Sequence, residues 1–155
     1  MKLVEYDQPT CDAASTKSHT RSHRAICFSA TTGVVSFHTT LSEQLNLKGG
    51  MRIIFVNDAD KPRDWYFYIT DDERGFKLRD RYLNKDGKRT KTTRAVCFHC
   101  KAFTEQFQSV LGFKNRATYL VALEPLESDG KRLYRVLTNN NLLDNNIFSK
   151  KKIKL

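Results

Sequence analysis

Gly33-Val34-Val35-Ser36-Phe37-His38-Thr39-Thr40-Leu41-Ser42-Glu43-Gln44-Leu45-Asn46-Leu47-Lys48-Gly49-Gly50-Met51-Arg52-Ile53-Ile54-Phe55-Val56 is the stretch that decides the fold. A glycine opens a β-branched, strand-like run. Thr40 with Glu43 then has the spacing of a capping box, and Leu41 with Leu45 supplies an apolar i, i+4 face, so the pattern predicts a short helix. Gly49-Gly50 is expected to end it, because glycine tolerates the left-handed conformation past a helix C-terminus. Met51–Val56 reads as the next strand. An acidic turn with Pro62 follows, then Trp65–Thr70, whose nearly continuous apolar and aromatic character predicts a strand buried on both faces.

The same order recurs downstream. Arg24-Ala25-Ile26-Cys27-Phe28 reappears as Arg94-Ala95-Val96-Cys97-Phe98, and Glu43-Gln44 as Glu105-Gln106. Phe103, Phe107, Val110 and Leu111 follow i, i+4, i+7, i+8 and predict a longer helix capped at Gly112. Strands are expected over Ala117–Leu123 and Leu133–Thr138, on either side of a turn with Pro125. The expected fold is α+β: mostly antiparallel β-sheet, or one small barrel, built from two strand–helix–strand–strand pseudo-repeats. The chain divides into a polar N-terminal arm (1–23), a first αβ half (24–75), a basic hairpin or connector (76–93), a second αβ half (94–138) and an Asn/Lys-rich tail (139–155).

The Gly33–Val56 stretch resembles the swapped-hairpin motif of AbrB-type transcription regulators and MazE-type antitoxins. Gly33, Val35, Leu41, Leu45, Leu47, Gly50, Ile53 and Phe55 fall at its apolar or glycine positions. The resemblance covers about 35 residues of the first half, with a degraded copy in the second. It implies a small interleaved β-barrel that binds DNA, in which tandem copies mimic the usual dimer within one chain. Basic residues of that family correspond here to Val34, Ser42 and Glu43, its strand-ending proline to His38 and its turn acid to Met51. The scaffold is therefore kept better than the DNA-contacting side chains.

Charge supplies the functional argument. The chain has 155 residues, 27 basic and 17 acidic, for a net charge of +10. Such an excess favours a polyanionic partner. Residues 76–101 hold nine basic and two acidic residues, and 150–155 add four lysines. Asn84-Lys85-Asp86-Gly87 is a turn signal between strand-like flanks. Lys77, Arg79, Arg81, Lys85, Lys88, Arg89, Lys91 and Arg94, with Lys150, Lys151 and Lys152 in the tail, are the expected phosphate-contacting residues. Solvated edge protection of a sheet is the competing explanation.

Chemistry is less well supported. Cys97-Phe98-His99-Cys100 has C-x-x-C spacing without a second pair, and Cys11 and Cys27 could complete a zinc site only through the tertiary fold. The repeated pentapeptide favours a packed strand position, so no metal site is expected. His19 with His23, and His38 with Cys27, lack the further groups that a metal or a nucleophile needs. No P-loop, G-x-G-x-x-G or H-E-x-x-H motif occurs. The expectation is a non-enzymatic nucleic-acid-binding protein without cofactor, DNA favoured over RNA. A transcriptional regulator fits, acting as a pseudo-dimeric monomer or a homodimer. The alternative is an interaction module, antitoxin-like or an assembly partner, whose arms Gln8–Arg24 and Asn139–Asn146 fold on binding. Neither a signal peptide nor a membrane span is expected, which points to the cytoplasm, or to the nucleus in a eukaryote.

Overall fold

The computed structural model describes residues 23–88, 90 and 94–144. The chain is α+β. Strands β1 (Ala25–Ser29) and β2 (Val34–Phe37) form a hairpin, followed by helix α1 (Thr39–Gln44) and strands β3 (Arg52–Asn57) and β4 (Trp65–Thr70). Next come the two-residue strands β5 (Phe76–Lys77) and β6 (Arg79–Asp80), then β7 (Val96–His99) and helix α2 (Lys101–Leu111). Strands β8 (Arg116–Leu120), β9 (Leu126–Ser128) and β10 (Lys131–Val136) complete the order, before a 3-10 turn at Leu142–Asp144.

Two five-stranded antiparallel sheets result. Sheet one runs β6-β7-β2-β1-β8 and sheet two β5-β3-β4-β10-β9. They meet at both sides. The chain passes from β5 on β3 to β6 on β7 across the buried Leu78, whose N–H donates to the Met51 carbonyl at 2.8 Å. On the far side, Val121 bridges Val136, flanked by the bonds Leu137 N–H to Leu120 O (2.8 Å) and Ala122 N–H to Arg135 O (2.9 Å). The strand ladder therefore returns on itself, which removes most free sheet edges.

Strand alternation fills the interior. Ile26, Phe28, Val35, Phe37, Phe67, Phe98 and Tyr119 point inward, where α2 adds Phe107 and Leu111, with Phe103 packed against them. The i, i+4 spacing of Phe103 and Phe107 places both rings on one helix face. Phe103 reaches Phe98 of sheet one as well as Phe55, Phe76 and Trp65 of sheet two, so the helix ties the two sheets together. Gly112, at φ 80°, ends α2 and donates its N–H to Gln108 O at 2.7 Å, as expected for this cap.

The first helix differs from expectation. It begins at Thr39 with His38 as N-cap, no side-chain hydrogen bond closes the cap, and it ends at Gln44. The left-handed residue after it is Asn46, while Gly49-Gly50 serves the turn into β3. Three further segments, β3, β8 and β10, start or stop within a few residues of the expected strands, and β4 coincides with Trp65–Thr70. Burial of β4 reaches both faces in part: Trp65 and Phe67 belong to the core, and Tyr68 on the opposite face is also buried, whereas Tyr66 beside it is only partly covered. The two pentapeptides occupy β1 and β7, which lie on either side of β2. The first is followed by a turn and the second leads into a helix.

Candidate nucleic-acid interface

The outward side chains of sheet one are mostly small. One cross-strand row reads Arg79, Cys97, Ser36, Cys27, Thr118, with every neighbouring pair in register. A second row sets Arg116 beside Ser29 and Val34 beside His99. The inward positions of the same strands take the large apolar residues, so alternation turns small and basic groups away from the core, where Cys97, Ser36 and Thr118 are nonetheless buried.

Basic residues flank this face. Arg79 and Arg81 are exposed on the β6 side, and the Arg81 N–H donates to Ala95 O at 2.8 Å, extending the pairing beyond Asp80. Burial pushes the Cys97 thiol above its ordinary pKa, while the charges of Arg79 and Arg81 act on it in the opposite direction. On the β8 side Arg116 is exposed, and its Nη2 lies 3.5 Å from Cys27 Sγ. Lys114 precedes it, also exposed.

The turn after β6 forms as its sequence predicts. Gly87 has φ 78° and donates its N–H to Asn84 O at 3.1 Å. The Asn84 side chain accepts from the Asp86 and Lys88 N–H groups at 3.0 and 2.9 Å. Thr90 N–H returns to Tyr82 O at 2.7 Å. Lys85 and Lys88 project from this turn, and Arg94 is exposed just before β7. Of the remaining expected residues, Lys77 is exposed on β5, paired with Arg52 in sheet two and two residues before Arg79. Arg89, Lys91, Lys150, Lys151 and Lys152 lie outside the described residues, as do Cys11, His19, the first arm before His23, and Asn145 and Asn146 of the second.

The fold sorts the charge of the chain. Among the described residues, the stretches that build sheet one and its connections (24–38, 79–101 and 112–121) carry nine basic and two acidic residues. Those that build sheet two (51–77 and 122–138) carry eight basic and nine acidic. Lys114 and Arg116 were missed from the sequence because residues 102–149 balance as a segment. No local pattern reveals that β8 pairs with β1. Arg24, by contrast, is occupied structurally: its Nη2 donates to Ala122 O at 3.0 Å and its Nη1 to Gln44 Oε1.

The cysteine pair does not converge. Cys97 faces outward from β7, whereas Cys100 is the N-cap of α2 and packs against the core. Among the described residues, no group of three or more His, Cys, Asp or Glu side chains is arranged to hold a metal ion. No helix among them is long and apolar enough to cross a membrane. No family model matches the chain, and neither a curated protein nor a solved structure matches it significantly.

Proposed function

We propose that this protein binds nucleic acid, with DNA as the favoured partner, and acts without catalysis as a transcriptional regulator. The observation that carries this reading is the concentration of positive charge on sheet one while sheet two stays near neutral. Arg79, Arg81, Lys85, Lys88 and Arg94 would contact phosphates from one side of that sheet. Such contacts supply affinity and orientation rather than sequence choice. On the same reading, β1-β2-α1-β3-β4 (within 24–75) and β7-α2-β8-β9-β10 (within 94–138) are two pseudo-repeats closed into one barrel, in keeping with the swapped-hairpin resemblance. Antiparallel pairing of β2 with β7 and of β4 with β10 supports that relation.

The test is a salt-titrated binding assay on duplex DNA, single-stranded DNA and RNA. Six to eight phosphate contacts give a slope of log K against log salt of about −5 to −7 on duplex DNA. A slope near zero, or no binding at low salt, would falsify the reading.

A second reading, a protein-interaction module, draws on the outer face of sheet two. Ile54 pairs with Tyr68 and Leu133 with Leu126, and Leu126 is 54% exposed. The β4–β10 register carried one residue further sets Tyr68 beside Leu133, so an apolar row crosses four strands. Recovery of one protein partner that survives nuclease treatment would favour this alternative.

A further inference from the structure

Positive charge on sheet one stands on two separated strands. Arg79 and Arg81 belong to β6 and its extension, Arg116 to β8, and β7, β2 and β1 lie between them. Four strand spacings span about 19 Å along the sheet. The strands between turn Cys97, Ser36 and Cys27 away from the core, with Val34, His99 and Ser29 in the next row; Cys97 and Ser36 are themselves buried, so this middle is recessed between the basic flanks. None of these six is acidic, so the middle of the face offers no repulsion, and the one ring among them is the exposed imidazole of His99.

A single strand is normally held by one basic track with aromatic side chains on which bases stack. The Phe and Tyr residues of these strands, Phe28, Phe37, Phe98 and Tyr119, are all inside the core. Two basic flanks across an uncharged floor suit two backbones instead. The major groove of B-DNA is about 12 Å wide, and its bordering phosphates add several ångströms to that span. A curved outer face with basic groups at both flanks can therefore meet the phosphates on the two sides of one groove.

We infer that Arg116 is a second anchoring residue, which grips the backbone opposite the one contacted by Arg79 and Arg81, so that sheet one straddles a groove of a duplex. The inference rests on the nucleic-acid reading above and extends it to residues outside the basic segment. Arg116 makes one described side-chain contact, the weak one to Cys27 Sγ, so its guanidinium has capacity for a phosphate.

The experiment measures the full chain and its Arg116→Ala, Arg116→Lys and Lys61→Ala variants on one duplex and on its single strand, each across a salt series. Circular dichroism melts confirm folding. With Arg116→Ala, duplex affinity falls at least fivefold and the duplex salt slope shrinks by about one phosphate contact. Single-strand binding changes less than twofold, Arg116→Lys restores most of the salt slope, and Lys61→Ala matches the parent chain. Equal losses on duplex and single strand, or no loss on duplex, overturn the two-backbone grip. Failure of the parent chain to bind any of these nucleic acids overturns the nucleic-acid reading itself, which separates the two.

Discussion

Phe28 and Phe107 stack with ring centroids 4.0 Å apart and planes 16° from parallel, joining strand β1 to helix α2 at the centre of the core. Both are fully buried, and Phe107 also lies 4.9 Å from the Trp65 ring and 6.2 Å from that of Tyr119. One helical side chain thus contacts strands of both sheets. Replacing it with alanine removes transfer free energy and leaves a cavity that the surrounding rings cannot fill. Phe107→Ala is expected to destabilise the fold by about 3–5 kcal/mol, read from urea unfolding midpoints at unchanged slope.

Gly33 meets two demands at once. Its φ is +79°, and an added Cβ would stand 2.9 Å from Lys101 Cα, a backbone atom at the start of α2. Its carbonyl also accepts the Cys100 N–H at 2.8 Å, so the β1–β2 turn is fixed to the helix N-terminus. Gly33→Ala should therefore exceed the roughly 1–2 kcal/mol of a left-handed alanine alone. Gly87→Ala has the same sign of φ and nothing within 4 Å of the added Cβ, so it should cost no more than that conformational penalty. Thermal melts of the two variants compare the effects directly.

Cys97 gives the fold an alkaline weakness. Burial raises its thiol pKa above the unfolded value. The folded state therefore holds the proton more tightly, and the associated stability is fully present below the ordinary thiol range, near about 8.5. It is lost as pH rises through the raised folded value. Unfolding free energy should decline on the alkaline side, and Cys97→Ala should remove that part of the decline. In native protein at neutral pH, alkylation followed by peptide mass mapping should label Cys27 ahead of Cys97.

Charge reversal separates sheet one from sheet two. Arg79→Glu with Lys88→Glu should abolish measurable duplex binding at moderate salt, since each change removes one attraction and adds one repulsion. The equivalent pair Lys61→Glu with Arg132→Glu should leave binding within about twofold, because both residues lie on sheet-two segments. Fluorescence anisotropy at matched ionic strength reads both.

Elements with a strong local signal were legible in the sequence. Trp65–Thr70 declared a strand through aromatic content, and α2 through its 3.6-residue apolar spacing with a glycine just past its end. The weak points have specific causes. Thr40 and Glu43 have capping-box spacing, yet the pairing of β2 runs to Phe37 and α1 starts at once behind it, which shifts the N-cap to His38. The Arg94–Phe98 repeat suggested an equivalent of β1, but identity at four of five residues records which side of a strand faces the core, not which neighbour it pairs with. The candidate interface was half visible. Its β6 flank lies in a segment dense in basic residues, while Arg116 joins it through the pairing of Ser29 with Arg116, and that contact has no local signature.

The pairing of β1 with β8 also sets an order of events during synthesis. Cys27 waits for Thr118, a partner roughly 90 residues later, which at 5–20 residues per second means about 5–18 s between making one strand and making its neighbour. Through that interval the β1–β2 hairpin can form, but the other side of β1 stays open to any extended chain. The nascent protein is therefore most vulnerable to wrong strand partners just before residues 116–120 leave the ribosome, and a late β8 decides whether an early β1 is kept.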